Sequence, residues 1–418
     1  MALVNYLTSR GFVLKALLLL LGAFYLFAGA LPKSGDYWII TNISTAFAVD
    51  PLHFMADTRG IAFPPTFYAL HGAWLWLGSS LFHYNLSVSP YNPSARVLLQ
   101  TSSSIFYFWG MIPILAALFL SIGIAHKELR NKWLTLIYFG PITFASVIIW
   151  GQIDVVCVLF IFASMILLRR ALKAQKYLSL LLLGYLTLGV SMQFKTYGGL
   201  LLPVYAIYTL ALVRTRKLDT AKSLLTLGAC LATFLVATFI VWLPYPGWFS
   251  TIMLHGESNY LLHTPSPLFQ VPIWVLGYAF ILCYTAVRVY RKPLTFLRDD
   301  RYFAFDNFVI VAWFFIAVFT RPQWWVFLLP PALLVLDSFR SKNGIVFCIL
   351  TLFTYLFYAN ASIGGFWLAR VPVWDVITVI SRIWYGWVFA FLAGLLLFWV
   401  FVLSRELSDK EVKSSTTA

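Results

Sequence analysis

Acidic side chains are scarce in this chain, with 15 Asp and Glu among 418 residues against 30 Lys and Arg, and charge of either sign amounts to only 11%. At 61% hydrophobic residues and a mean hydropathy of +0.84, the composition lies far outside what a soluble domain carries without aggregating. A soluble enzyme or binding module is thereby excluded. Cysteine is also short. Cys157, Cys230, Cys283 and Cys348 all fall in apolar runs, where they act as small apolar side chains, so neither a disulfide framework nor a zinc site is expected. The period-two alternation of a membrane barrel is missing, and no internal repeat of the kind left by a duplicated transporter half stands out.

What is present is a series of long apolar runs. Residues 12–31, 97–125, 224–243 and 383–403 are each long enough to cross about 30 Å of hydrocarbon, which points to an all-α integral membrane protein. Short basic loops punctuate the chain and give about twelve transmembrane helices, with both termini inside, in a single polytopic domain over 1–418. The first run reads as a retained span, because no small-residue cleavage site follows and Leu31-Pro32-Lys33 continues directly into a loop. Crossings near 308–320 and 324–336 are short, so they are expected to be tilted, broken or packed within protein.

The net charge of +15 does not signal nucleic acid, since the basic residues form no single stripe. They alternate by loop instead. With the N-terminus inside, only Lys33, Arg59, Arg96, Lys195, Arg321, Arg370 and Arg382 fall outside, and the other 23 of the 30 face the cytoplasm, including those of the tail over 404–418. That asymmetry sets the orientation.

Three segments predicted outside are too long for simple turns: 32–96, 244–267 and 359–382. The first carries two stretches, 37–47 and 67–81, with aromatic faces suited to amphipathic interfacial helices, and Pro64-Pro65 breaks the chain between them. A transporter has little use for so large a loop after its first span. An enzyme acting on a membrane-anchored substrate does, because the loop can roof a water-accessible site over the lipid. Trp367, Trp374 and Trp384 read as an aromatic belt.

Six acids fall outside or at outer helix ends: Asp36, Asp50, Asp57, Asp154, Glu257 and Asp375. Asp36, in Ser34-Gly35-Asp36-Tyr37-Trp38, is either a helix cap or a base beside the membrane surface. Asp154 ends Trp150-Gly151-Gln152-Ile153-Asp154, a tight hairpin between spans. There Gln152 or Asp154 either caps the next helix or organises a site, since an acid at membrane depth needs a partner or a purpose. Lys195 and Arg321 are lone outer cations, which read either as snorkelling anchors or as groups holding a lipid-linked phosphate. His255, Glu257, Tyr260 and His263 gather in the second outer loop but lack the helical spacing of a zinc hydrolase, so pocket capping or phosphate contact is the expectation. His53, His71 and His83 read as interfacial residues.

Taken in order, Gly35-Asp36, Phe63-Pro64-Pro65, Trp150-Gly151-Gln152-Ile153-Asp154, Phe194-Lys195, Pro203 and Arg321-Pro322-Gln323-Trp324 resemble the GT-C superfamily of polytopic glycosyltransferases. The bacterial family 87-like members and other polyprenyl-phosphate-sugar-dependent enzymes are the nearest in pattern. The match is good over roughly the first 210 residues and loose beyond them, and the order of the motifs carries it. The resemblance implies transfer of a hexose, mannose-like, from a polyprenyl-phosphate carrier to a lipid-linked or glycan acceptor on the outer face, with inversion. By position the catalytic base is Asp36. Asp154, Gln152 and Glu257 would organise the site, and Lys195, Arg321, Arg370 and His255 would hold the donor phosphate. Many members carry two acids together after the first span, whereas Tyr37 follows Asp36 here, so no metal or other cofactor is expected to be required. The bacterial inner membrane, with the site facing the periplasm, is the implied location. The triplets Asn42-Ile43-Ser44, Asn85-Leu86-Ser87 and Asn360-Ala361-Ser362 keep the endoplasmic reticulum membrane as the alternative. The competing readings are a transporter or lipid flippase, which favours charges in mid-span, and an O-antigen ligase or acyltransferase.

Overall fold

A computed structural model describes residues 10–30, 35–51, 65–83, 86, 104–149, 151–174, 177–215, 218–242, 273–317, 322–339, 350 and 385–416. Every regular element among them is helical. The first four are α1 (Arg10–Gly29), α2 (Gly35–Val49), α3 (Pro65–Phe82) and α4 (Ser104–Glu128). An irregular stretch follows, made of a 3₁₀ helix (Lys132–Phe139), a single turn (Pro141–Thr143) and a π-helix (Phe144–Ile149). Then come α5 (Asp154–Lys173), α6 (Leu178–Met192), the 3₁₀ helix Thr196–Leu201, α7 (Leu202–Arg214), α8 (Thr220–Trp242) and α9 (Ile273–Arg291). The chain ends with α10 (Pro293–Arg298), α11 (Asp300–Ala317), the 3₁₀ helix Pro322–Leu328, α12 (Leu329–Phe339) and α13 (Tyr385–Thr416).

Six helices among the described residues are long and apolar enough to cross a membrane: Gly11–Gly29, Phe108–Glu128, Asp154–Lys173, Tyr197–Arg214, Ile273–Arg291 and Ala390–Ser408. Leu178–Met192, Thr220–Val236 and Trp325–Phe339 are apolar but shorter. Against the expectation of twelve, the described part contains six full-length candidates and three short ones. The region read as a long first outer loop contains α2 and α3, which pack against each other. Pro65, at the first position of α3, has the fixed φ a helix start accepts, which is why the Pro64-Pro65 break is where the helix begins. The short late crossing is broken, as its length suggested: a 3₁₀ turn leads into α12, and residues 325–339 are buried throughout. Residues 404–416, read as a tail, continue α13. The outer segments 244–267 and 359–382 lie outside the described residues.

Helix α5 is the centre of the bundle. It packs on α4, α6 and α12, and its Val155, Val158, Phe162, Met165 and Leu168 are fully buried. Helices α1 and α9 are far less buried than α5, so those two form the rim. The rim carries exposed Leu19, Phe27, Phe280 and Tyr290, the surface that hydrocarbon solvates. Close packing of α6 against α8 depends on Gly189, where a Cβ would stand 2.8 Å from the carbonyl oxygen of Cys230.

The charged side chains sort to opposite ends of α5, about 30 Å apart for a 20-residue helix. At its C-terminal end Arg169 and Lys173 meet Asp300 at 2.6 and 2.8 Å, Arg130 reaches the same carboxylate at 3.8 Å, and Arg170 pairs with Glu128. Asp337 accepts from Arg169 at 3.5 Å and from the backbone N–H groups of Arg130 and Asn131 at 2.6 and 3.1 Å. This basic end ties together four stretches of chain that the positive-inside pattern assigns to one face.

Candidate functional site

The opposite end of α5 begins with Asp154, and segments from several parts of the chain converge there. Gly151 turns the chain into α5 with φ +57°, a conformation costly for residues with a Cβ. A Cβ on it would lie 2.5 Å from the ring of Tyr37. The fully buried Tyr37 ring therefore occupies the space a side chain would need, and it fixes the start of α2 against the hairpin. Tyr37 follows Asp36, so the first turn of α2, which carries Asp36, abuts the turn that carries Gln152 and Asp154. Gln152 and Asp154 are buried, and the backbone N–H of Gln152 donates to the Ser146 carbonyl at 2.9 Å. The N-cap of α5 is Ile153, which offers no side-chain cap.

Asp154 makes a buried ion pair with Lys195, whose Nζ donates to Oδ1 at 2.8 Å. The sequence presented the two as separate questions, and the fold answers them together. Lys195 sits in extended backbone between α6 and the following 3₁₀ helix. Its carbonyl accepts from the Cys157 thiol at 3.5 Å, one turn along α5 from Asp154. Its ammonium stands 5.4 Å from the ring centroid of Tyr197 and 5.6 Å from that of Phe327. Phe327 lies in the 3₁₀ helix Pro322–Leu328, so that helix also reaches this site. A buried cation with one carboxylate and two aromatic faces is held in place electrostatically, and an ammonium has three N–H donors to distribute.

Gln193, two residues before Lys195, cross-links the site. Its Oε1 accepts from the Thr66 hydroxyl at 3.1 Å, and its Nε2 donates to the carbonyls of Thr233 and Phe234, each at 3.2 Å. The segment after Phe63-Pro64-Pro65 is in this way fastened to α6 and α8. Tyr37, Tyr197, Thr66 and Phe327 carried no chemical signal in the sequence, because each acts by volume or a single long-range bond.

Glu257, His255, Arg321 and Arg370, and also Asp57 and Asp375, lie outside the described residues. For Asp36 the helix is described but not the side chain. Among the described residues no three His, Cys, Asp or Glu side chains gather as metal ligands. His71, read as interfacial, is instead buried: Nδ1 meets Ser44 Oγ at 2.9 Å, Nε2 meets the Gly110 carbonyl at 3.3 Å, and the ring stacks on Phe67. A further buried acid escaped the sequence reading, which had acids at helix ends. Asp306 is the seventh residue of α11; it accepts from the Tyr208 hydroxyl at 2.8 Å and lies 3.8 Å from Arg288.

No protein-family model matches the chain, and no curated protein matches it. Among solved structures, ArnT from Cupriavidus metallidurans, determined bound to undecaprenyl phosphate, is similar over 94% of this chain and 76% of that one, with 14% identity and a TM-score of 0.49.

Proposed function

We propose that the chain is a membrane glycosyltransferase of the GT-C kind, which moves a mannose-like hexose from a polyprenyl-phosphate carrier to a lipid-linked or glycan acceptor at the outer membrane surface. The observation that carries the reading is spatial. Segments that are far apart in the chain come together around the N-terminal end of α5, through Tyr37 on Gly151, Lys195 on Asp154 and Phe327 beside Lys195, with Thr66 on Gln193 two residues from Lys195.

In the proposed mechanism the Asp36 carboxylate takes the proton of the acceptor hydroxyl as its oxygen attacks the anomeric carbon. The bond from that carbon to the carrier phosphate breaks on the opposite face, which inverts the configuration. Lys195, with Arg321, Arg370 and His255, receives the charge that develops on the departing phosphate. Asp154 positions Lys195, and Gln152 and Glu257 organise the surrounding polar wall. No step needs a metal ion. Purified protein incubated with a panel of polyprenyl-phosphate monosaccharides and a membrane glycan acceptor should transfer one sugar with no ion gradient imposed. Absence of transfer from every donor overturns the proposal.

One observation favours the transporter reading: the Asp306, Tyr208 and Arg288 cluster puts charge inside the bundle. Gradient-dependent uptake of lipid-linked sugar by proteoliposomes, lost in Asp306→Asn, would move the assignment there.

A further inference from the structure

The basic end of the bundle bears a cleft unrelated to the Asp154 end, edged by two arginines. A space of about 560 Å³ lies between α7 and α9, walled by Leu210, Ala211, Val287 and Tyr290 and edged by Arg214 and Arg291, the last residues of the two helices. Arg130, Arg169, Arg170, Lys173, Arg288 and Arg301 each meet a carboxylate. Among the described residues Arg214 and Arg291 meet none. The Arg214 guanidinium instead lies 3.5 Å above the Tyr290 ring centroid. Stacking uses the flat face of the guanidinium and leaves its N–H fork free in the plane, the edge that matches phosphate oxygens. The walls are apolar and open outward, since Leu210, Val287 and Tyr290 are exposed on the rim that hydrocarbon solvates.

We infer that this cleft is a binding site for an anionic glycerophospholipid of the leaflet at the basic end, with an acyl chain along the cleft and the phosphate on Arg214 and Arg291. Three features select that occupant. The walls suit an acyl chain, the two arginines meet no carboxylate among the described residues, and the basic end is the face that anionic headgroups favour.

The test is native mass spectrometry of the full-length protein in detergent, titrated with dioleoylphosphatidylglycerol or dioleoylphosphatidylcholine. Phosphatidylglycerol should bind more tightly, and R214Q and R291Q should each lower its affinity about fivefold without changing that of phosphatidylcholine. Val287→Trp, which fills an exposed wall position, should weaken both lipids. Equal binding of the two lipids by the wild type, or full phosphatidylglycerol preference in the double arginine variant, overturns the inference. So does unchanged binding in Val287→Trp. Inorganic phosphate should not compete, and competition by it at millimolar concentration would reduce the site to a surface anion site. Undecaprenyl phosphate displacing phosphatidylglycerol at equal loading would assign the cleft to the carrier and overturn the phospholipid assignment.

Discussion

The ammonium of Lys195 lies 2.8 Å from a carboxylate oxygen of Asp154, and the two buried residues are 41 positions apart in the chain. Pairing two buried charges roughly cancels their desolvation, whereas removing one leaves the other uncompensated.

Lys195→Met should therefore destabilise the protein by about 3–5 kcal/mol, and the double variant Asp154→Asn with Lys195→Met should recover most of that loss. Thermal unfolding in detergent measures both. The stabilised double variant separates structure from chemistry: it should still show a donor KM raised or kcat lowered by the equivalent of about 1.5–3 kcal/mol for the missing charge-assisted bond. Wild-type donor kinetics in the double variant would transfer the phosphate role to Arg321 and Arg370.

Asp36→Asn keeps the shape of the side chain and removes the base. Expression and unfolding temperature should match the wild type while transfer falls at least about 10²-fold. Asp36→Glu should also be poor, because one methylene displaces the carboxylate beyond the roughly 0.5 Å that a positioned group tolerates. An active, well-folded Asn variant would overturn the assignment of Asp36 as the base.

Gly151→Ala should cost at least about 1–2 kcal/mol from backbone conformation alone, with a further loss from the contact with Tyr37. Pairing it with Tyr37→Ala removes the collision but not the backbone strain, so recovery should be partial. Circular dichroism melting curves of the three variants decide the point, and a Gly151→Ala protein as stable as the wild type would sink it.

At the basic end burial raises the Asp300 carboxyl, but the Lys173 hydrogen bond and the Arg169 charge outweigh it and hold the group below its ordinary value. A carboxyl held low contributes stability that is complete above its unfolded pKa of about 3.9 and disappears as pH falls through the lower folded value. The gap in unfolding temperature between wild type and Asp300→Asn should thus be constant from about pH 5 to 7 and close below about pH 4. A gap that widens on acidification would contradict this sign.

The helices were the most legible part of the chain. Aromatic periodicity over 37–47 and 67–81 lies within α2 and α3, and the short late crossing, expected to be tilted, broken or packed within protein, is both broken and buried. Local pattern says nothing about the π-helix that precedes Gly151. Long-range bonds were equally silent. Asp154 and Lys195 were each visible as costly charges, but only tertiary packing joins them. Asp306 was hidden because its partners, Tyr208 and Arg288, come from two other helices.

Tyr37 and Gly151 hold one volume between them, and that has an evolutionary consequence. As long as the aromatic ring stays, glycine is compulsory at 151, and each position blocks change at the other. A lineage that first shrank residue 37 would open room for a side chain in the hairpin and tilt the first turn of α2, the turn bearing Asp36. The two positions should accordingly drift as a pair, with the loss of the ring preceding the loss of the glycine, and acceptor preference is the trait expected to drift with them.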